Sequence, residues 1–94
     1  MKLIFKEPAL KTLRLQRDFL DSKNTIGSGN RYVLKFKDSI KSFAQPNTQY
    51  DKCNNTVLLK FGYSCVTIGK WIVAFKIEEE NFIVYEIILG SLLQ

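Results

Sequence analysis

The chain has 94 residues, 46% of them apolar and 24% charged, and a formal net charge of +5 with no histidine. That length suggests one domain spanning 1–94, and that composition an ordinary globule. The missing histidine excludes Ser-His-Asp and Cys-His catalysis and removes the commonest acid–base group near neutral pH. No apolar run approaches the roughly 18–20 residues that cross a bilayer. Leu3-Ile4-Phe5 before Lys6 and Glu7 is too short for the core of a signal peptide, so a cytoplasmic protein without a membrane partner is expected.

The charge is uneven. Residues 1–60 carry 12 Lys/Arg against 5 Asp/Glu, whereas residues 61–94 carry 2 against 4. A positive field over the first two-thirds suits an acidic partner, nucleic acid or an acidic polypeptide. Arg14, Arg17, Arg31, Lys35, Lys52 and Lys60 are the candidate contacts. A helix with a solvated basic face looks the same.

In chain order, Met1 to Phe5 fits a short strand. Glu7-Pro8 opens a helix, with proline in the first turn and a carboxylate at the positive end of the dipole. Leu10, Leu13, Arg17 and Leu20 recur at helical spacing, and the pattern fades at Asp21 to Asn24. Gly27-Ser28-Gly29-Asn30 matches no complete phosphate-binding motif. It reads as the turn of a helical hairpin, with Ser28 or Asn30 available as N-cap. Val33, Phe36, Ile40 and Phe43 then form one apolar stripe. Gln45-Pro46-Asn47 ends that helix, and Gln45 to Asn55 reads as a polar loop.

From Thr56 the period changes to two. Val57 to Phe61, Tyr63 to Ile68, Lys70 to Ile77 and Phe82 to Leu89 read as strands, separated by Gly62, Gly69 and the turn Glu78 to Asn81. Trp71, Val73, Phe75 and Ile77 share one face of the third. In the last, Ile83, Tyr85, Ile87 and Leu89 share a face, with Phe82, Val84, Glu86 and Ile88 opposite. Short connections require antiparallel pairing. The expected fold is α+β: an N-terminal helical hairpin packed on a twisted, mainly antiparallel sheet of four to five strands. Cys53 and Cys65 lack metal-ligand spacing, and no metal or cofactor is expected. A disulfide could join them, but a reducing cytosol disfavours it, and Cys65 reads as a small buried apolar residue.

This order of elements resembles the RelE/ParE superfamily of bacterial toxins, also called plasmid stabilisation proteins. The residues that carry the resemblance are Lys70 to Ile77, the acidic turn Glu78 to Asn81, and the closing Val84-Tyr85-Glu86-Ile87-Ile88-Leu89-Gly90-Ser91. The resemblance implies a toxin held inactive by a cognate acidic antitoxin. Its implied target is DNA gyrase, or messenger RNA on the ribosome, which nuclease members cut. Nuclease members place Lys, Arg, Tyr and sometimes His or Glu on the exposed sheet face and final segment. Here Trp71 and Leu89 stand near the places of the frequent arginine and histidine, and no arginine follows Ile68. A nuclease would depend on Lys60, Tyr63, Lys70 and Tyr85, and lysine does not reproduce arginine's two-pronged grip on phosphate. Tyr63 and Tyr85 also suit half-buried strand positions, and Lys60 and Lys70 suit solvated strand ends. The expectation is a toxin that binds its target without cutting nucleic acid. The alternatives are a ribosome-dependent endoribonuclease, or an inactive binding adaptor that retains the fold.

Overall fold

The computed structural model describes residues 1–44 and 50–93. The elements are β1 (Lys2–Phe5), α1 (Glu7–Lys23), α2 (Ser28–Phe43), α3 (Thr56–Lys60), β2 (Ser64–Ile68), β3 (Trp71–Glu78) and β4 (Asn81–Leu89), closed by a 3₁₀ turn over Gly90–Leu93. The sheet order is β1-β4-β3-β2, with β1 parallel to β4 and the other pairs antiparallel. Two amphipathic helices cover one face. The α+β hairpin-on-sheet architecture is therefore as expected.

The hairpin turns where glycine allows it. Gly27, not Ser28 or Asn30, is the N-cap of α2, at φ 95° and without a side-chain cap. The capping group comes instead from the preceding helix: Asp21 Oδ1 accepts the backbone N–H of Gly27 (3.2 Å) and Gly29 (2.9 Å). A carboxylate there satisfies otherwise unpaired donors and faces the positive end of the α2 dipole. Gly29 is buried where α2 meets α1, and a Cβ on it would lie 2.1 Å from the carbonyl oxygen of Arg17.

The core lies between hairpin and sheet. Ala9 and Leu13 of α1, Phe36 and Ile40 of α2, Val73 and Phe75 of β3, and Phe82, Val84 and Ile87 of β4 form one buried cluster. Phe75 and Phe82 stack at 4.3 Å, and Tyr50 stands edge-on to both at 5.0 and 6.1 Å. Each large side chain fully removed from water contributes about 1.5–3 kcal/mol. Phe43, which ends the predicted stripe of α2, remains exposed.

Three expectations are corrected. Val57 to Phe61 is a short helix, not a strand. Asn55 accepts from the N–H groups of Val57 and Leu58 as its N-cap. Gly62 at φ 75° ends it, with Gly62 N–H on Leu59 O and Tyr63 N–H on Leu58 O, the paired bonds of a Schellman terminus. Second, β4 is bulged. Ala74 pairs with Glu86 and Phe75 with Val84, which leaves Tyr85 as the extra residue. Beyond it the alternation changes phase, so Phe82, Val84 and Ile87 face the helices rather than dividing between the two sides.

Third, Cys53 and Cys65 are joined by a disulfide, with Cα atoms 4.8 Å apart. Chain pairing creates that proximity. Lys52 bridges to Ser64, Cys53 N–H donates to Tyr63 O, and Cys65 N–H donates to Asp51 O. Residues 51–53 thus run along the outer edge of β2. Cys53, Leu58 and Ala74 form a second small core on the sheet face away from the hairpin, with Tyr63, Cys65 and Ile88 against it. The predicted polar loop from Gln45 to Asn55 falls partly outside the described residues. Its described part carries the buried Cys53 and the core aromatic Tyr50.

Candidate functional site

On the face of the sheet away from the hairpin, α3 and the bridged segment cover the part around Ala74. On the remainder, aromatic rings and lysines converge. Tyr63, just before β2, and Tyr85, at the β4 bulge, stack at 5.0 Å with 25° between planes. Phe61 stacks on the other side of Tyr63 at 5.5 Å and 21°. Lys76 Nζ lies 5.5 Å from the Tyr63 ring centre and 5.7 Å from that of Tyr85. Lys6 Nζ lies 5.8 Å from the Tyr85 ring centre.

Each group is positioned by a local feature. The Schellman terminus of α3 reverses the chain and delivers Phe61 and Tyr63 to the sheet. The bulge turns Tyr85 out beside Glu86. Strand alternation puts Lys76 opposite the buried Phe75. Lys6 is fixed by parallel pairing, its backbone N–H donating to Val84 O at 2.9 Å. Burial raises the Tyr63 phenol above its ordinary pKa, and the Glu86 carboxylate and Tyr85 push the same way. Near neutral pH Tyr63 is therefore a protonated hydrogen-bond donor rather than a base. The cluster offers flat stacking surface, two ammonium groups, two phenols and one carboxylate.

Of the four candidate catalytic residues, the structure brings Tyr63 and Tyr85 together and leaves the two lysines elsewhere. Lys60 is exposed at the last position of α3. Lys70 occupies the β2–β3 turn, at the opposite end of β3 from Lys76 and about 20 Å away at about 3.3 Å per strand residue. Sequence reasoning missed Lys6, Lys76, Phe61 and Glu86 as members of one cluster. The signal for Lys76 was present, since it alternates with the apolar Val73-Phe75 face.

The basic contacts divide between two sides. Arg14 pairs with Glu7, Arg17 Nε donates to Asp18 at 3.0 Å, and Arg31 donates to Ser28 Oγ at 3.2 Å. Arg14, Arg17 and Lys37 line a groove of about 150 Å³ between α1 and α2, and Lys35 is exposed on the same helix as Lys37. Lys52 lies on the other side, where its Nζ donates to Gly62 O at 3.0 Å. Among the described residues no His, Cys, Asp and Glu cluster could hold a metal ion, and no helix is long and apolar enough to cross a membrane.

The arrangement of elements recurs in a solved structure. The chain is similar to a solved structure described as "Chromosomal ParDE TA system from P. aeruginosa", with a TM-score of 0.72 over 93% of this chain and 92% of that one. Identity between them is 13%, so the likeness is one of fold. No family model and no curated protein matches the sequence.

Proposed function

We propose that this chain is the toxin of a type II toxin–antitoxin pair. It acts by binding a macromolecular target, and a cognate acidic antitoxin neutralises it. The observation that carries this reading is the likeness of fold, along 93% of the chain, to a component of a ParDE system. The excess of positive charge on residues 1–60 supports the acidic partner, because opposite fields speed encounter and favour the right pairing. DNA gyrase is the target class we favour. The three arginines all lie on α1 and α2, and neither histidine nor arginine stands on the sheet face that a phosphodiester would meet.

A second reading, a ribosome-dependent endoribonuclease, is favoured by the convergence of Tyr63, Tyr85, Lys6 and Lys76. The lysines would neutralise phosphate, the rings would stack on bases, and Glu86, whose charge is felt by the Tyr63 phenol, would supply a carboxylate for proton transfer. Two assays separate the readings. A gyrase-binding toxin blocks supercoiling by purified gyrase and leaves messages intact. An endoribonuclease leaves supercoiling intact and produces new message ends by primer extension from expressing cells. A stable complex with the antitoxin but no growth arrest supports neither, and identifies an inactive adaptor.

A further inference from the structure

The Cys53–Cys65 disulfide closes a loop around part of the candidate site. Its cysteines stand 12 residues apart, and between them lie the whole of α3, Phe61 and Tyr63. Phe61 and Tyr63 are two of the three rings that stack on the sheet face, and Lys76 sits over Tyr63. The loop leans on that bond. A helix of five residues is too short to hold itself together, and α3 buries only Leu58. Leu58 packs in a small core whose other buried members are Cys53 and Ala74, with Tyr63 and Cys65 against it. The disulfide is thus part of the surface on which α3 and Tyr63 rest. Hydrogen bonds follow the same path. Cys53 N–H donates to Tyr63 O at 3.1 Å, Cys65 N–H to Asp51 O at 3.3 Å, and Lys52 Nζ to Gly62 O at 3.0 Å. Together they tie residues 51–53 to the chain on either side of Tyr63.

The two cysteines are not equally placed. Cys53 is 2% exposed. Cys65 is half-buried and lines a pocket of about 480 Å³ beside α3, with Asp51, Lys52 and Thr67 among its other walls. A small thiol entering that pocket meets Cys65 first. Thiol–disulfide exchange then runs in two steps. A thiolate of a dithiol reductant bonds to Cys65 Sγ, the Cys53–Cys65 bond breaks, and the Cys53 sulfur leaves with the electron pair and takes up a proton. The reductant's second thiolate then attacks its partner sulfur in the mixed disulfide. Cys65 leaves as a thiolate and is protonated, and the reductant departs as a disulfide. Two electrons have passed to the protein, and a disulfide reagent reverses both steps. We propose that this bond is a redox switch for the Phe61–Tyr63–Tyr85 face, opened through Cys65. Oxidised, the loop is closed and the rings stack. Reduced, the loop regains the freedom that its cross-link removed, α3 leaves Ala74, and Phe61 and Tyr63 leave Tyr85. The switch acts on the face to which the proposed activity is assigned, but its test reads the face itself, so it stands or falls whatever target that face meets.

Nuclear magnetic resonance of the purified full chain reads both states. The oxidised protein should show nuclear Overhauser contacts from Phe61 to Tyr63 and from Tyr63 to Tyr85, with helical chemical shifts over Thr56–Lys60. Dithiothreitol should abolish both, and should leave the Phe75–Phe82 ring contact and the helical shifts of α1 and α2 intact. Cys53→Ser/Cys65→Ser should give the reduced spectrum without dithiothreitol, which ties the change to this bond. Glutathione, a monothiol, stops at the mixed disulfide; trapped with acid and located by peptide mass, it should sit on Cys65. Rings that stay stacked after reduction overturn the proposal. So does loss of the Phe75–Phe82 contact as well, which would make the bond a support of the whole fold rather than a switch for one face. Glutathione found on Cys53 overturns the route. A bond that resists excess dithiothreitol in the native protein, or that oxidised glutathione fails to form, overturns the switch.

Discussion

Replacing Gly29 with alanine tests how the hairpin is built, because two physical effects of opposite sign meet there. In an ordinary helix interior, glycine to alanine gains about 0.8–1.0 kcal/mol. Gly29 lies in the first turn of α2 without a positive φ, so it needs no glycine backbone. Its neighbour is the constraint. The new Cβ would stand 2.1 Å from the Arg17 carbonyl oxygen and 2.7 Å from that residue's carbonyl carbon and Cα, all backbone atoms. A side chain could rotate aside; helix backbone cannot. The helices must part by about 1 Å, given that real Cβ contacts do not fall below 3.0 Å. That disturbs the Leu13–Phe36 packing and pulls Gly29 N–H from Asp21. Overpacking of this kind costs about 1–3 kcal/mol, and a rigid neighbour places the cost at the upper end. The expected net loss is about 2 kcal/mol, or a fall in Tm of roughly 8–16 °C at about 4–8 °C per kcal/mol for a domain of this size. Thermal unfolding followed by circular dichroism measures it, with exposed Asn30→Ala as the control for helix propensity. A Tm for Gly29→Ala at or above the parent's would refute the close approach of α1 and α2.

Three further results are expected. Asp21→Ala strips the acceptor from Gly27 and Gly29 and should cost about 1 kcal/mol by chemical denaturation, as for a lost N-cap. Cys53→Ser/Cys65→Ser opens a short ring, whose closure contributes about 3 kcal/mol for loops near that length; the loss should appear in denaturant midpoint and vanish when both proteins are compared under reductant. The Tyr63 pKa is raised in the folded state, so its contribution to stability is complete below the unfolded value near 10 and is lost as pH rises through the folded value. Tyr63→Phe should therefore remove part of the alkaline fall in stability, seen in melting curves at rising pH, and delete from an ultraviolet titration a phenol that ionises above its ordinary value.

Much of the architecture was legible because its signals are local. The stripe Val33-Phe36-Ile40 and the alternation through Val73 and Phe75 each specify a face, and Gly27 and Gly69 specify turns. Val57 to Phe61 misled because five apolar-rich residues fit either period. The deciding features were Asn55 as N-cap and Gly62 as terminator, flanking a segment of one helical turn or so. The β4 bulge was invisible because alternation assumes an uninterrupted pleat, and an extra residue at Tyr85 is set by pairing with β3 rather than by its own sequence. The disulfide was discounted on compartment, while the geometry that forms it comes from residues 51–53 aligning with β2. The site was half legible for the same reason. Tyr63 and Tyr85 were recognisable as chemistry-bearing aromatics, but the parallel β1–β4 pairing that brings in Lys6 is a long-range contact that no local pattern encodes.

The central claim is that the chain poisons a cell unless a partner restrains it. Inducing it alone in a bacterial host and counting viable cells tests that most directly, beside the same induction with a Tyr63→Ala/Tyr85→Ala variant confirmed as folded. Growth arrest by the parent, relieved in the variant and by co-expression of any small acidic protein whose gene adjoins its own, is the predicted result. Unchanged growth with soluble, folded parent protein at high level would contradict the account.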